Sequence, residues 1–190
     1  EEGKRGMNKL LALNKLPDAV FAGNDPMAMG AMMAIKEKGL KIPQDIALLD
    51  EIAETILPAT DTPGAKEARV GEFMTVMVND CYTERDQKVF LEGMGKLNDA
   101  STARFGHGFL KGTADQRKEL LIDLDKEQKE YNSNKKSDDP PHYFALMKQL
   151  TLLGYFTSEP GATKALRYVD VPGRYDGCVP YQKGDRAWAT

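Results

Sequence analysis

The stretch from His142 to Thr157 constrains the fold of this chain more than any other part of the sequence. Its large side chains are Tyr143, Phe144, Leu146, Met147, Leu150, Leu152, Leu153, Tyr155 and Phe156. Read as a helix, they occupy most of its circumference instead of a single face. A helix that is apolar on nearly all sides is either central in a domain or covered by a partner. The sequence leaves both arrangements open for this helix.

Helical spacing of apolar residues and local capping signals predict several further helices in this part of the chain. Thr83 is a candidate N-cap, and Thr113 with Gln116 reads as a capping box. The expected elements are an apolar stripe over 48–56 that ends at Pro58, a helix marked by Val70 to Val78, a helix after Thr83 reaching Leu97, a helix from Ala114 to about Tyr131, and a short helix from Pro160 to about Tyr168.

The first part of the chain has a different character. It predicts a helix over 2–14, a short buried strand at Ala19–Ala22, and a helix from Pro26 to Lys38 that stops at Gly39. The predicted fold is therefore mainly α, a helical subunit with an irregular C-terminal tail, preceded by a short α/β leader of helix, strand and helix. We place the boundary between residues 1–47 and residues 48–190.

Composition excludes several classes of function. The net charge of −3 provides no basic footprint for a nucleic acid, and no stretch approaches the ~18 apolar residues of a membrane span. The opening Glu1-Glu2-Gly3-Lys4-Arg5 does not read as a signal peptide. We find no phosphate-binding loop and no nucleophile–base frame, so no catalytic residue is predicted. The carboxylates Asp123, Asp125 and Glu127 are expected to form a solvated helix face.

The two histidines, His107 and His142, and the two cysteines, Cys81 and Cys178, lack the paired spacing of a zinc site. No metal site is predicted. The cysteines leave three arrangements open, namely one disulfide between Cys81 and Cys178, two free thiols, or a bond to a partner chain.

Three segments of the second part resemble the gluconate 2-dehydrogenase subunit 3 family. They are 49–65 (LDEIAETILPATDTPGA), 150–159 (LTLLGYFTSE) and 171–178 (VPGRYDGC). The resemblance covers nearly all of residues 48–190. It implies a small, helical, non-catalytic subunit of a membrane-associated, FAD-dependent sugar or sugar-acid dehydrogenase, which helps its larger partner to mature and cross the membrane.

The same resemblance implies the cofactors, the partners and the location. This chain would hold no cofactor, whereas the larger subunit would hold FAD and a cytochrome c subunit with haem c often accepts the electrons. Such subunits usually carry a twin-arginine export signal, and the expected location is periplasmic. In this chain repressor-like sequence stands where that signal should be, so a native N-terminal fusion would instead predict the cytoplasm.

That repressor-like sequence is the first part of the chain. Residues 16–28 (LPDAVFAGNDPMA), 30–32 (GAM) and 39–47 (GLKIPQDIA) resemble the sugar-binding domain of lactose-repressor-type transcription regulators. The resemblance implies that Asn24 and Asp25 lie at a ligand cleft, where Asp25 would contact sugar hydroxyls. The alternative function is therefore a sugar-responsive binding module or a fragment of such a regulator. A single βα unit is too small to enclose a ligand of this kind.

The predicted mechanism of the second part is binding to a flavoprotein partner. An ordered tail rich in Tyr, Arg and Trp has the composition of a docking surface, although it could equally be a strap that closes the protein's own core. The expected partner-interface residues are Tyr155, Phe156, Arg174, Tyr175, Cys178, Tyr181 and Trp188. Cys178 or Cys81 could also form an intersubunit disulfide in an oxidising periplasm.

Overall fold

The computed structural model describes residues 2–10, 43–171, 173 and 177–189. The chain divides into two compact units, Glu1–Asp45 and Ile46–Thr190. In the first unit the structure describes the helix α1 (Glu2–Leu10), on which Gly3 and Met7 are buried. The strand and the second helix predicted for the leader lie outside the described residues. The domain boundary predicted at residue 47 stays a prediction.

The second unit is a bundle of helices, as the sequence predicts. Its elements in chain order are α2 (Pro43–Ile56), α3 (Val70–Cys81), α4 (Glu84–Phe105), a 3₁₀ turn (Phe109–Lys111), α5 (Ala114–Asn134), α6 (Tyr143–Phe156) and a single π-helical turn (Gly161–Ala165). The pairing of extended backbone in the described residues consists of one isolated bridge between Arg167 and Trp188. The mainly α fold class is thus confirmed.

Local capping chemistry fixes where two of these helices begin. The Thr83 hydroxyl accepts from the backbone N–H of Asp86 at 3.2 Å, which caps α4. Thr113 and Gln116 form both halves of a capping box, at 3.3 Å and 2.9 Å, and so start α5. Each bond satisfies an N–H that has no partner within its own helix. The predicted caps are confirmed for this reason.

Helix α6 is central, and it packs against α3, α4 and α5. Two glycines allow its close contacts. A Cβ at Gly93 of α4 would lie 2.3 Å from the Cβ of Tyr143, and a Cβ at Gly154 would lie 2.5 Å from the Phe73 ring of α3. The core formed around α6 includes Phe144, Met147 and Leu150, each almost wholly buried.

The expected solvated face of α5 is wrong at Asp125. Its carboxylate lies within ion-pair distance of Lys129 on the same helix and of Lys148 on α6. Hydrogen bonds from these two lysines lower the pKa of Asp125 to about 2. Asp125 therefore links α5 to the central helix.

The helix predicted from Pro160 to about Tyr168 is shorter than expected. It ends at Ala165, and Leu166 already has extended backbone angles of φ −100° and ψ 176°. The chain leaves the helix there because Arg167 pairs with the C-terminal segment. This pairing positions the site described next.

Candidate partner-binding end of the helical domain

The loop 57–66 after α2, which we call the anchored loop, is held by a single carboxylate. One oxygen of Glu54 accepts from the backbone N–H of Ala59 and the other from that of Lys66, both at 2.9 Å. The loop is also closed by its own backbone, since Ala65 N–H donates to the carbonyl of Leu57 at 3.0 Å. Two ends of an otherwise irregular segment are thereby fixed to one helix.

Helix α6 supplies a second anchor. The Tyr155 hydroxyl donates to the Pro63 carbonyl at 2.6 Å, and Tyr155 is only 4% exposed. Tyr155 was predicted as a partner contact, but in this structure its side chain is used inside the domain. Lys66, at the end of the anchored loop, pairs with Glu51, and Glu51 also pairs with Arg117 of α5. The loop is thus connected to three helices.

The exit from α6 lies beside the anchored loop. The Ser158 hydroxyl donates to the Tyr155 carbonyl at 2.6 Å and accepts from the N–H of Gly161 at 3.1 Å, which turns the chain. Lys164 in the following π-helical turn reaches Glu67, with Nζ 3.6 Å from Oε1. The segments around residues 57–67 and 150–165, distant in sequence, therefore meet at one end of the bundle.

The C-terminal segment returns to the same place and pairs with Arg167. Arg167 N–H donates to the Ala187 carbonyl at 2.7 Å, and Ala189 N–H donates to the Arg167 carbonyl at 2.8 Å. The Arg167 guanidinium lies over the indole of Trp188, 4.7 Å from the ring centroid. Its Nε also donates to the Arg186 carbonyl at 2.6 Å. We call this set of contacts the Arg167–Trp188 bridge. The described residues between its two sides, 168–171, 173 and 177–187, are called the C-terminal loop.

The surface of this end is rich in exposed apolar side chains. On α6 they follow the spacing i, i+1 and i+4, as Leu152, Leu153 and Phe156, and on the C-terminal loop they include Val171 at 78% and Tyr181 at 73% exposure. Tyr168, Val169, Val179 and Trp188 are exposed as well. We use the name docking end for the anchored loop, the C-terminal half of α6, the π-helical turn and the described residues at 167–171, 173 and 177–189.

The docking end contains the described residues predicted for the partner interface. Phe156, Cys178, Tyr181 and Trp188 are exposed there. Arg174, Tyr175 and the predicted ligand contacts Asn24 and Asp25 lie outside the described residues. Sequence reasoning missed Leu153 and Arg167. The spacing of Leu153 and Phe156 is a helical signal that could have identified the first, whereas no local signal marks Arg167.

Cys81 and Cys178 are both free and exposed. The structure therefore shows the arrangement with two free thiols, and a bond to a partner chain stays a prediction.

One described carboxylate near the start of α3, that of Asp50, has an altered pKa. Asp50 has a raised pKa, chiefly because burial disfavours its charge, although the N–H of Gly71 donates to its carboxylate at 3.1 Å. This bond ties α2 to the first turn of α3.

In the described part of the chain, no group of three or more His, Cys, Asp and Glu side chains could hold a metal ion. No described helix is long and apolar enough to cross a membrane.

Comparison with known protein families now gives the docking end its context. The model of the family described as gluconate 2-dehydrogenase subunit 3 matches residues 43–173. This chain belongs to that family. The match spans α2 to the start of the C-terminal loop, so it includes the anchored loop, the exit from α6 and Arg167. Membership in the gluconate 2-dehydrogenase subunit 3 family supports an accessory role in a dehydrogenase complex.

A second family model, the periplasmic binding protein-like domain, matches residues 1–63. Curated relatives of this first part are HTH-type transcriptional repressors PurR. That of Erwinia tasmaniensis is 39% identical over 92 residues, and that of Pasteurella multocida is 55% identical over 92 residues. Each alignment covers 46% of this chain, but only 27% and 28% of the respective repressor. The resemblance to lactose-repressor-type regulators is confirmed for a piece of such a protein.

A shorter alignment shows the same limit. The PurR repressor of Histophilus somni is 57% identical over 49 residues, which is 15% of its length. The chain therefore spans less than a third of the curated relatives it matches. No solved structure matches this chain.

Proposed function

We propose that this chain is the non-catalytic small subunit of an FAD-dependent sugar or sugar-acid dehydrogenase, and that it binds the flavoprotein subunit through the docking end. The observation that carries the proposal is the convergence of two segments that resemble the family with the C-terminal segment of the chain. Tyr155 of the second family-like segment bonds to Pro63 of the first. Arg167 and Lys164 tie residues 186–189 to the same end. Packing of the core alone would not require these irregular segments to meet.

The chemistry of this end favours a protein partner. Its exposed side chains are aromatic and branched aliphatic, and they stand beside a loop that is held in one conformation by Glu54 and Tyr155. Pre-ordered backbone lowers the entropic cost of association, and buried aromatic anchors contribute much of the affinity at protein interfaces. The FAD, and haem c where a cytochrome subunit is present, would be bound by the partner subunits.

The location and the biological step belong to the same proposal. The subunit would assist maturation, export or stability of the flavoprotein, and the complex would work in the periplasm. There an oxidising environment would permit a disulfide between Cys178 or Cys81 and the partner. Non-reducing electrophoresis of the purified complex tests this bond, because a heavier band that disappears on reduction is expected. Absence of that band from an oxidised complex would remove the disulfide from the proposal.

The central test is co-expression of the full chain with the FAD-dependent large subunit encoded nearest to it. We expect stoichiometric co-purification and a flavin absorption spectrum in the complex. Phe156→Glu places a charge in the exposed apolar surface of α6 and should reduce recovery of the large subunit at least tenfold. Leu91→Glu is the matched control, since Leu91 is 62% exposed and lies on α4 near Gly93, toward the Tyr143 end of α6.

Two outcomes would contradict the proposal. One is a soluble flavoprotein that fails to co-purify with the folded wild-type chain. The other is equal loss of binding in the Phe156→Glu and Leu91→Glu variants, because that result would not assign the interaction to the docking end.

A second candidate function rests on the first part of the chain. Residues 1–63 match the periplasmic binding protein-like domain, and the PurR relatives are named as repressors. This candidate is a sugar-responsive binding module that uses Asn24 and Asp25. It predicts that a simple sugar raises the melting temperature of the full chain and that Asp25→Ala abolishes the rise. No shift across a panel of sugars would leave the accessory-subunit proposal alone.

A further inference from the structure

The Arg167–Trp188 bridge indicates a role for Trp188 other than direct contact with a partner. Trp188 was predicted to contact a partner, yet its indole is stacked on the Arg167 guanidinium and the backbone on both sides of it pairs with Arg167. Trp188 is 47% exposed, so one face of its ring is used within the chain. An aromatic residue in this arrangement holds a loop closed.

The bridge is the point at which the C-terminal segment is fastened. In the part of the chain that the structure describes, the hydrogen bonds from residues 177–189 to earlier residues end on Arg167 or on Lys164. The carboxylate of Asp185 stands 3.9 Å from Arg167 and also accepts from the N–H of Gln182 at 3.0 Å. One arginine therefore organises the base of the C-terminal loop.

The bridge lies outside the hydrophobic core. Neither Arg167 nor Trp188 is part of the core cluster, and the hydrogen bonds of Arg167 Nε and Arg186 are exposed. Loss of the bridge should therefore free the loop and leave the helices folded. The exposed side chains that the loop carries, including Val171, Val179 and Tyr181, would then have to be ordered during binding.

We propose that Arg167 and Trp188 are positioning residues, which close the C-terminal loop before the flavoprotein subunit binds and present its exposed side chains in a binding-competent arrangement. This inference rests on the proposed function. A partner binds a fractionally populated conformation with an affinity reduced by that fraction. If opening the bridge lowers the closed population about tenfold, the dissociation constant rises about tenfold.

The sequence contains its own reporter for this test. Trp188 is the single tryptophan of the chain, so its fluorescence and its quenching by acrylamide report on the bridge alone. Arg167→Ala should increase quenching and weaken binding of the large subunit about tenfold. Arg167→Lys retains a cation over the indole and both backbone bonds, and it should restore most of the affinity. The helical circular dichroism of both variants should equal that of the wild type.

A matched pair of proline variants separates the backbone bridge from the side chains. Ala189→Pro removes the N–H that donates to the Arg167 carbonyl and leaves Arg167 and Trp188 in place. Ala187→Pro puts the same ring in the same segment but keeps both bridge bonds, since Ala187 contributes its carbonyl. We expect increased quenching and weaker binding only for Ala189→Pro.

The outcomes distinguish this inference from the proposed function. If the wild-type chain does not bind the large subunit, the proposed function fails. If wild type binds and Arg167→Ala shows increased quenching with unchanged affinity, the positioning role is wrong and the proposed function stands. Weaker binding of Arg167→Ala with unchanged quenching would also overturn it, because Arg167 would then act as a direct contact.

Discussion

The anchored loop and the C-terminal loop lie at the same end of the helical domain, and each contains sequence that resembles the family, but they are fixed in different ways. The backbone of the anchored loop is hydrogen-bonded to Glu54 and Tyr155, which belong to helices α2 and α6. The C-terminal loop is closed at its base by the exposed Arg167–Trp188 bridge. The first loop is therefore coupled to folding of the whole domain, and the second is ordered almost independently of it.

Two loops that are both ordered in the structure can therefore contribute very differently to the free energy of unfolding. Damage to the anchored loop must disturb helices α2 and α6, so it should lower the free energy of unfolding. Damage to the C-terminal loop should change binding and leave that free energy nearly unchanged. Three pairs of variants test this contrast, and a fourth tests the ion pairs that link α5 to the central helix, in order of decreasing effect.

The largest effect is expected at Gly64 of the anchored loop. A Cβ there would lie 2.4 Å from the Glu54 carboxylate and 2.6 Å from the backbone nitrogen of Ala59. Gly64→Ala should therefore lower the free energy of unfolding by about 3 kcal/mol, measured by urea denaturation. The control Gly184→Ala meets open space at φ 102° in the C-terminal loop, and its local strain should cost less than about 1 kcal/mol globally. Equal losses would contradict the contrast.

Glu54 should have the next largest effect. Glu54→Ala leaves the N–H groups of Ala59 and Lys66 without their acceptor, and about 2 kcal/mol of unfolding free energy should be lost. Asp185→Ala removes a carboxylate that likewise accepts a backbone N–H, but in the C-terminal loop. Its loss should be close to zero in the same denaturation experiment. A clear destabilisation by Asp185→Ala would show that this loop is coupled to the core after all.

Removal of one hydroxyl gives a finer comparison. Tyr155→Phe deletes the bond to the Pro63 carbonyl and should cost about 1 kcal/mol, seen as a lower melting temperature. Tyr181→Phe deletes a hydroxyl from a side chain that is 73% exposed in the C-terminal loop, and it should leave the melting temperature unchanged. Faster hydrogen exchange at Ala65 only in Tyr155→Phe would locate the effect in the anchored loop. Matching melting temperatures for the two variants would weaken the case for a core anchor.

Acid should give the smallest effect. The pKa of Asp125 is lowered from 3.8 to about 2 in the folded chain, so its contribution to stability is present above pH 4 and disappears as the pH falls toward 2. Asp125→Asn should lack this component, which we place at roughly 0.5–1 kcal/mol because the lysine partners are partly solvated. Since Lys148 belongs to α6, the loss should reach the anchored loop. Asp61→Asn, on the exposed surface of that loop, is the control and should follow the wild-type acid profile.

The sequence was sufficient for features that depend on neighbouring residues. The starts of α4 and α5 were predicted because Thr83, Thr113 and Gln116 satisfy N–H groups only three positions away. The apolar circumference of α6 indicated that it is either central or covered by a partner, and its packing against α3, α4 and α5 shows that it is central. Both inferences need only the spacing along one helix.

Features that depend on distant residues could not be predicted. Tyr155 and Phe156 are adjacent aromatic residues, yet Tyr155 is buried and bonds to the distant Pro63 carbonyl, whereas Phe156 is exposed. Asp125 looked solvated because Lys148 lies on another helix. The backbone of Arg167 pairs with that of Ala187 and Ala189, and backbone pairing leaves no trace in side-chain composition.

The two close contacts of α6 have an evolutionary consequence. Gly93 is packed against Tyr143 and Gly154 against Phe73, so neither glycine can gain a side chain while its aromatic neighbour keeps its size and place. Among sequences that share this packing, a larger residue at 93 should accompany a smaller one at 143, and likewise for 154 and 73. Such paired changes would show that close packing of the central helix has constrained these positions during evolution of the family.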